Sequence, residues 1–148
     1  MRKYVPFILI IILMFIIFGF SAVDGSVSYS WSEEVAIFIK RILTSLGDKN
    51  YSVTTIDLVI RKLAHFFEYL ILTILLTIGI YNITNSKGYS LLISSIVAII
   101  VSLIDEGVIQ TVSGRNNSLF DVFIDCTGII AGLIVFSLSV SFNIKTKK

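Results

Sequence analysis

In 148 residues this chain carries 55% hydrophobic and only 15% charged side chains, with a mean hydropathy of +0.93. A soluble domain of that length needs a polar exterior, which long unbroken apolar runs cannot supply, so the composition is that of an integral membrane protein. The net charge of +2, with basic residues not gathered into a stripe interleaved with aromatics, argues against a nucleic-acid partner. The single cysteine, Cys126, leaves neither an intrachain disulfide nor a cysteine zinc site and reads as a small buried side chain.

Crossing the hydrocarbon takes about 20 apolar residues in a helix. Four runs meet that length, at about 4–20, 63–81, 89–109 and 119–142, so an all-α, four-helix membrane bundle in one domain over 1–148 is expected. Arg2 and Lys3 before the first run, with Ser21 and Ala22 after it, also suit a cleaved signal peptide. The run from Val5 to Phe20 is long for a signal core, however, and bulky Phe20 sits where small residues are needed, so a retained anchor fits better.

The stretch 24–32 is rich in Gly and Ser and reads as a loop. A helix is expected next, at about 32–46, because Val35, Phe38, Ile39, Ile42, Leu43 and Leu46 recur at helical spacing. Ser30 and Glu33 are spaced as a capping box and Gly47 as a stop. This helix would lie along the membrane interface, with Trp31 at headgroup level and Lys40 and Arg41 toward phosphates; a packed structural helix explains the pattern equally well. Thr54 or Thr55 would cap the helix of the second span near Ile56, and 82–88 would form a tight polar turn into the third.

Lysine and arginine near span ends tend to stay in the cytoplasm. With the N-terminus inside, Arg2, Lys3, Lys87, Lys145, Lys147 and Lys148 are cytoplasmic with no acidic residue among them, and all 10 carboxylates fall in the outer half. The remaining basic residues, Lys40, Arg41, Lys49, Arg61, Lys62 and Arg115, lie outside among those acids. Both termini are therefore expected in the cytoplasm of a multi-pass protein.

The ionisable residues of the spans gather at their outer ends. On the second helix Lys62, His65, Glu68, Tyr69 and Leu72 fall at steps of three and four and share one face. His65 and Glu68 can meet there, as a proton-transfer pair, half of a metal site or an interhelical clasp. The third span carries Ser95, Ser102, Glu106 and Gln110 as a polar stripe flanked by Asp105. A turn-rich segment with Gly114, Arg115, Asn116, Asn117 and Ser118 leads into the fourth helix, capped by Ser118, where Asp121, Asp125, Gly128 and Gly132 share a face. The two glycines are four apart, a pattern that admits close helix packing, here expected within the monomer. Antiparallel crossing brings all three polar clusters to the outer side. Five carboxylates offset only by His65, Arg115 and Lys62 call for shared protons or a bound cation. Oxygen ligands with one histidine would suit a hard divalent ion such as Mg2+, Mn2+ or Ca2+, although no spacing identifies a metal.

The segments RKLAHFFEY, Arg61 to Tyr69, and DEGVIQTVSGRNNSLFDVFIDCTGIIAG, Asp105 to Gly132, resemble the VanZ-like family of bacterial membrane proteins. On that resemblance His65, Tyr69, Asp105, Glu106, Gln110, Arg115, Asp121, Asp125 and Gly128 are the corresponding positions. Many members have asparagine where this chain has Asp125. The resemblance covers about 61–132 and implies an association with resistance to the glycopeptide teicoplanin, which acts outside the cytoplasmic membrane.

Two functions from different classes fit these residues. In the first, an envelope protein of the bacterial cytoplasmic membrane uses an outward polar site of Lys62, His65, Tyr69, Asp105, Glu106, Gln110, Arg115, Asp121 and Asp125 to bind a headgroup. The partner would be a membrane lipid, a lipid-linked cell-wall precursor or a lipoglycopeptide, with Arg115 holding a phosphate or carboxylate. In the second, an intramembrane enzyme modifies such a headgroup, with His65 or Glu68 as base and Glu106 or Asp121 as acid or metal ligand. A proton-coupled carrier is disfavoured, because the inner halves of the spans are almost wholly apolar and the polar motif is not repeated.

Overall fold

The structure, a computed structural model, describes residues 4–23, 25–47, 50–109 and 119–145. Five α-helices account for nearly all of them: α1 (Val5–Ser21), α2 (Gly25–Ser45), α3 (Val53–Thr84), α4 (Lys87–Ile104) and α5 (Leu119–Lys145), with a π-helical turn at Asp105–Ile109 continuing α4. No strand occurs among the described residues. Three stretches, Val53–Thr84, Lys87–Ile109 and Leu119–Ser141, are long and apolar enough to cross a membrane, whereas α1 is shorter at 17 residues. At 1.5 Å per residue α1 extends about 25 Å, the lower limit for a span.

Helix boundaries follow local chemistry and correct the sequence expectations in four places. Of the stretch expected as a loop, 24–32, residues 25–32 are helical, since α2 begins at Gly25; Asp24 lies outside the described residues. Ser30 therefore lies inside the helix, donating to the Val27 carbonyl at 2.8 Å instead of capping with Glu33. Serine costs a helix only a few tenths of a kcal/mol, so the composition did not forbid it. Gly47, at φ 96°, follows the end of α2 as expected. The side chain of Trp31 lies outside the described residues. At α3 the cap is Ser52, whose Oγ accepts from the Thr55 amide at 3.1 Å, so the helix starts at Val53 rather than near Ile56. The polar turn shrinks from 82–88 to Asn85 and Ser86, because Asn85 takes the left-handed conformation at φ 51° and returns its amide to the Tyr81 carbonyl at 2.9 Å. Finally, the third span is not one continuous α-helix, since the π turn replaces its last residues.

The interior is unusually polar and the exterior apolar. Facing inward are Thr73, Thr77, Ser90, Ser94 and Ser102, all buried, while Ile96, Ile100, Leu103, Ile130, Ile134 and Leu138 face outward. Water would punish that distribution; lipid rewards it, because helices in a bilayer associate through small residues and hydrogen bonds rather than by hiding leucines. Thr77 donates to Ser94 Oγ at 2.8 Å and Thr84 meets Ser90 at 3.2 Å, so hydroxyls clasp α3 to α4. The expected stripe beginning at Ser95 is displaced by one face, since Ser95 is half-buried and bonded to its own helix at the Leu92 carbonyl. At the far end Lys87 reaches the Ser137 carbonyl and Ser141 Oγ, tying α4 to α5. α1 lies on this core through Ile10 and Ile17, with Phe7 against Gly79. α2 packs on α3 and buries Ala36, leaving Val35, Phe38, Ile42 and Leu46 uncovered. Cys126 is half-buried, not fully buried as expected.

The tightest contact is between α3 and α5. A Cβ on Gly128 would stand 2.4 Å from the Phe66 carbonyl oxygen, and one on Gly132 would stand 2.8 Å from that of Leu70. Both obstacles are backbone, which cannot rotate away, so Gly128→Ala is expected to cost about 1–3 kcal/mol by overpacking. Gly88→Ala, with nothing within 4 Å of its Cβ, is expected to change the thermal midpoint in detergent little. Equal midpoints for the two variants would contradict the close approach.

Candidate functional site

Three helix ends meet where α3 and α5 approach most closely. His65 and Tyr69 lie one turn apart on α3, flanking Phe66, whose carbonyl faces Gly128. Asp125 lies one turn before Gly128 on α5, so the glycine contact carries this carboxylate to the histidine. His65 Nδ1 is 3.3 Å from Asp125 Oδ1 and 3.8 Å from Glu106 Oε1. Ser102, one turn before Glu106, donates to Asp125 Oδ2 at 2.7 Å. The expected pairing of His65 with Glu68 is thereby corrected. Glu68 is half-buried on the same side of α3 and acts electrostatically with His65, Asp105 and Asp125, but the carboxylates within ion-pair distance of the imidazole come from other helices.

Two adjacent acids enter the interior at the π turn, where Asp105 and Glu106 are both buried, at 0% and 2% exposed. Neighbours about 100° apart fit within one buried helix face, as Val101 and Ser102 in the turn before them also do. Leu103, Ile104, Gly107 and Val108 around them are exposed. Such single π turns recur at functional sites.

The rim of the hollow is formed by Lys62 and Asp121, which make an ion pair between α3 and α5, with the lysine Nζ 5.4 Å from the centroid of the Phe120 ring. Arg61 lies 3.9 Å from Asp57 one turn away, on the side of α3 nearer its start. His65 retains 18% side-chain exposure, so the cluster is roofed rather than sealed. Tyr69 is fully buried, and its hydroxyl has no hydrogen-bond partner among the described residues; the neighbouring Thr73 hydroxyl shares that state. The Tyr69 hydroxyl lies within electrostatic reach of Asp105, Asp125, Glu68 and Glu106. Gln110, Gly114, Arg115, Asn116, Asn117 and Ser118 lie outside the described residues.

Thus Lys62, His65, Tyr69, Asp105, Glu106, Asp121 and Asp125 are brought to one end of the bundle, at the opposite end from Lys87. The family model described as VanZ/LLP1 matches residues 6–140. The chain belongs to the VanZ/LLP1 family. No curated protein and no solved structure matches it significantly. The match includes α1 and α2, so the resemblance first visible in 61–132 extends through the whole bundle of this VanZ/LLP1 protein.

Ser102, expected in the polar stripe that ends at Glu106, is found bonded to Asp125; Thr73, buried one turn from Tyr69, was not singled out, although Tyr69, Thr73 and Thr77 carry hydroxyls at steps of four on α3. In this VanZ/LLP1 chain the Ser102 hydroxyl is the described donor to Asp125 Oδ2. Ser102→Ala leaves that buried oxygen without it and is expected to cost about 1–3 kcal/mol. Ser95→Ala, which removes only a bond to its own helix, is expected to stay within about 0.5 kcal/mol of the parent. Denaturation in detergent compares the two, and a neutral Ser102→Ala would contradict the bond.

Proposed function

We propose that this VanZ/LLP1 protein is a cell-envelope component of the bacterial cytoplasmic membrane whose polar hollow faces outward and binds an amphiphile's headgroup. The ligand classes are a membrane lipid, a lipid-linked cell-wall precursor or a lipoglycopeptide, which would connect the protein to teicoplanin resistance. The observation carrying the reading is the Tyr69 hydroxyl, which is buried, has no partner among the described residues and belongs to a residue one turn beyond His65 and two beyond the charged rim at Lys62. A buried hydroxyl left unpaired costs about 1–3 kcal/mol, a cost that a bound polar group would remove. Leu119, Phe120 and Phe123 are exposed at the start of α5 beside Asp121, giving an amphiphile's apolar part a surface next to the rim.

The orientation rests on the charge distribution. Lys87 and the C-terminal end of α5 stand at the end away from the site, and the sequence adds basic residues at both termini, so the positive-inside rule assigns that end to the cytoplasm. Tags at both termini are expected to be inaccessible to an impermeant reagent in intact cells and to become accessible after permeabilisation. Labelling of either tag in intact cells would reverse the topology.

Arg115 is the residue suited to grip a phosphate or carboxylate by paired hydrogen bonds. For purified protein in nanodiscs, Arg115→Ala is expected to weaken binding of a fluorescent lipid-linked wall precursor by about tenfold or more, the loss of a charge-assisted bond. Identical binding curves for variant and parent would count against the headgroup reading.

One observation favours a second reading. His65 Nδ1 stands 3.3 Å from Asp125 Oδ1 without a formed hydrogen bond, close enough for a small ring rotation to let the carboxylate orient the imidazole as a general base requires. An enzyme acting on the bound headgroup would alter the mass spectrum of lipids and wall precursors between cells with and without the protein, whereas a binding protein would leave it unchanged.

A further inference from the structure

His65, Glu106 and Asp125 each present one ligand atom, and the three atoms all lie within 4.8 Å of one another. That spacing is a property of the helices and is independent of any headgroup.

Ligands at about 2.1 Å from a metal are separated by about 3.0 Å at a right angle and about 3.4 Å at the tetrahedral angle. The 3.3 Å from His65 Nδ1 to Asp125 lies between these values and the 3.8 Å to Glu106 a few tenths of an ångström above them, so side-chain rotation would bring the three atoms, all within 4.8 Å of one another, onto one cation. Each ligand comes from a different element, α3, the π turn and α5, so a cation here would join three elements at once. The supporting contacts are those of a built site. Ser102 holds the second oxygen of Asp125 at 2.7 Å, which leaves Oδ1 directed toward His65. Such outer bonds are what orient metal ligands.

A histidine clasping two carboxylates would account for the same three residues by itself. The Tyr69 hydroxyl supplies the independent observation. It is wholly buried, lies in electrostatic reach of Glu106 and Asp125, and has no hydrogen-bond partner among the described residues. A clasp gives it nothing to bond, whereas a cation carries bound water whose oxygen and protons can. One nitrogen with two carboxylate oxygens is a mixed donor set that suits manganese or zinc and is poorly matched to calcium, which takes six to eight oxygens.

We propose that His65, Glu106 and Asp125 form a divalent transition-metal site, for manganese or zinc, with Tyr69 bonded to a cation-bound water. The three protein ligands leave positions for water or for an oxygen of a bound ligand, which is the open arrangement of working rather than purely structural sites.

The full-length protein in nanodiscs, stripped with chelator and dialysed, is titrated with Mn2+ and followed by electron paramagnetic resonance. About one ion per chain is expected, displaceable by Zn2+, with His65→Gln and Asp125→Asn weakening the affinity by more than the roughly 10–100-fold typical of losing an outer-shell partner. Tyr69→Phe is expected to weaken it by about tenfold while leaving the fold intact, since its hydroxyl bonds no described residue. This variant keeps the test decisive should the ligand variants not fold. Ser95→Ala is expected to bind as the parent does. Substoichiometric Mn2+ uptake by the parent, or an affinity unchanged in Tyr69→Phe and in every ligand variant that folds, overturns the site. Precursor binding that persists in chelator while Mn2+ fails to bind would overturn this inference alone and leave the headgroup reading standing.

Discussion

The close approach of α3 and α5 sets the geometry of everything else at the site. Gly128 and Gly132 let α5 lie against the backbone of Phe66 and Leu70, and His65 and Asp125 flank that contact within one turn. A side chain at Gly128 would hold the helices apart by more than the slack in a 3.3 Å separation. The glycines thus act on chemistry through distance. They belong to no polar cluster, yet without them the imidazole and the carboxylate could not meet. In a bilayer this is also the stabilising contact, because helix association there depends on packing and interhelical hydrogen bonds.

That packing logic explains why the polar residues divide into two kinds. Along the span, the hydroxyl groups of Thr77, Ser90 and Ser94 satisfy one another or their own carbonyls and cost little to bury. Ionised groups are far costlier in hydrocarbon, and they sit at one end, roofed by the Lys62–Asp121 pair. Two of them, Asp105 and Glu106, are adjacent and both buried within the π turn.

Much of this was legible in the sequence, for identifiable reasons. Span lengths follow from bilayer thickness, the shared face of Lys62, His65 and Tyr69 from helical periodicity, and the convergence of Asp105, Asp121 and His65 from alternating helix direction. The close packing within the monomer at Gly128 and Gly132 was readable because small residues four apart leave a groove. The partner of His65 was not readable. Within one helix the nearest carboxylate is Glu68, and choosing Asp125 instead requires the relative rotation of α3 and α5. The π turn was hidden because it is a change in hydrogen-bond register with no marker residue in DEGVI. The helix over 25–32 was hidden because glycine and serine weaken a helix without forbidding one.

A purely structural explanation of the cluster meets a physical difficulty. Replacing a buried ionic group by well-packed apolar residues is often neutral or stabilising, so a clasp built from His65, Glu106 and Asp125 is a poor way to hold α3, α4 and α5 together. The hydroxyl pairs along the span do that with less desolvation, and the glycine contact does it with none. Tyr69 sharpens the point, since phenylalanine would fill the same space without burying an unpaired hydroxyl. A cluster where charge, a π turn and an unmatched donor coincide at one end of the bundle is therefore costly as a clasp alone, which is the physical ground of the binding proposed for it. The apolar spans and the glycine seam supply the stability that such a site consumes.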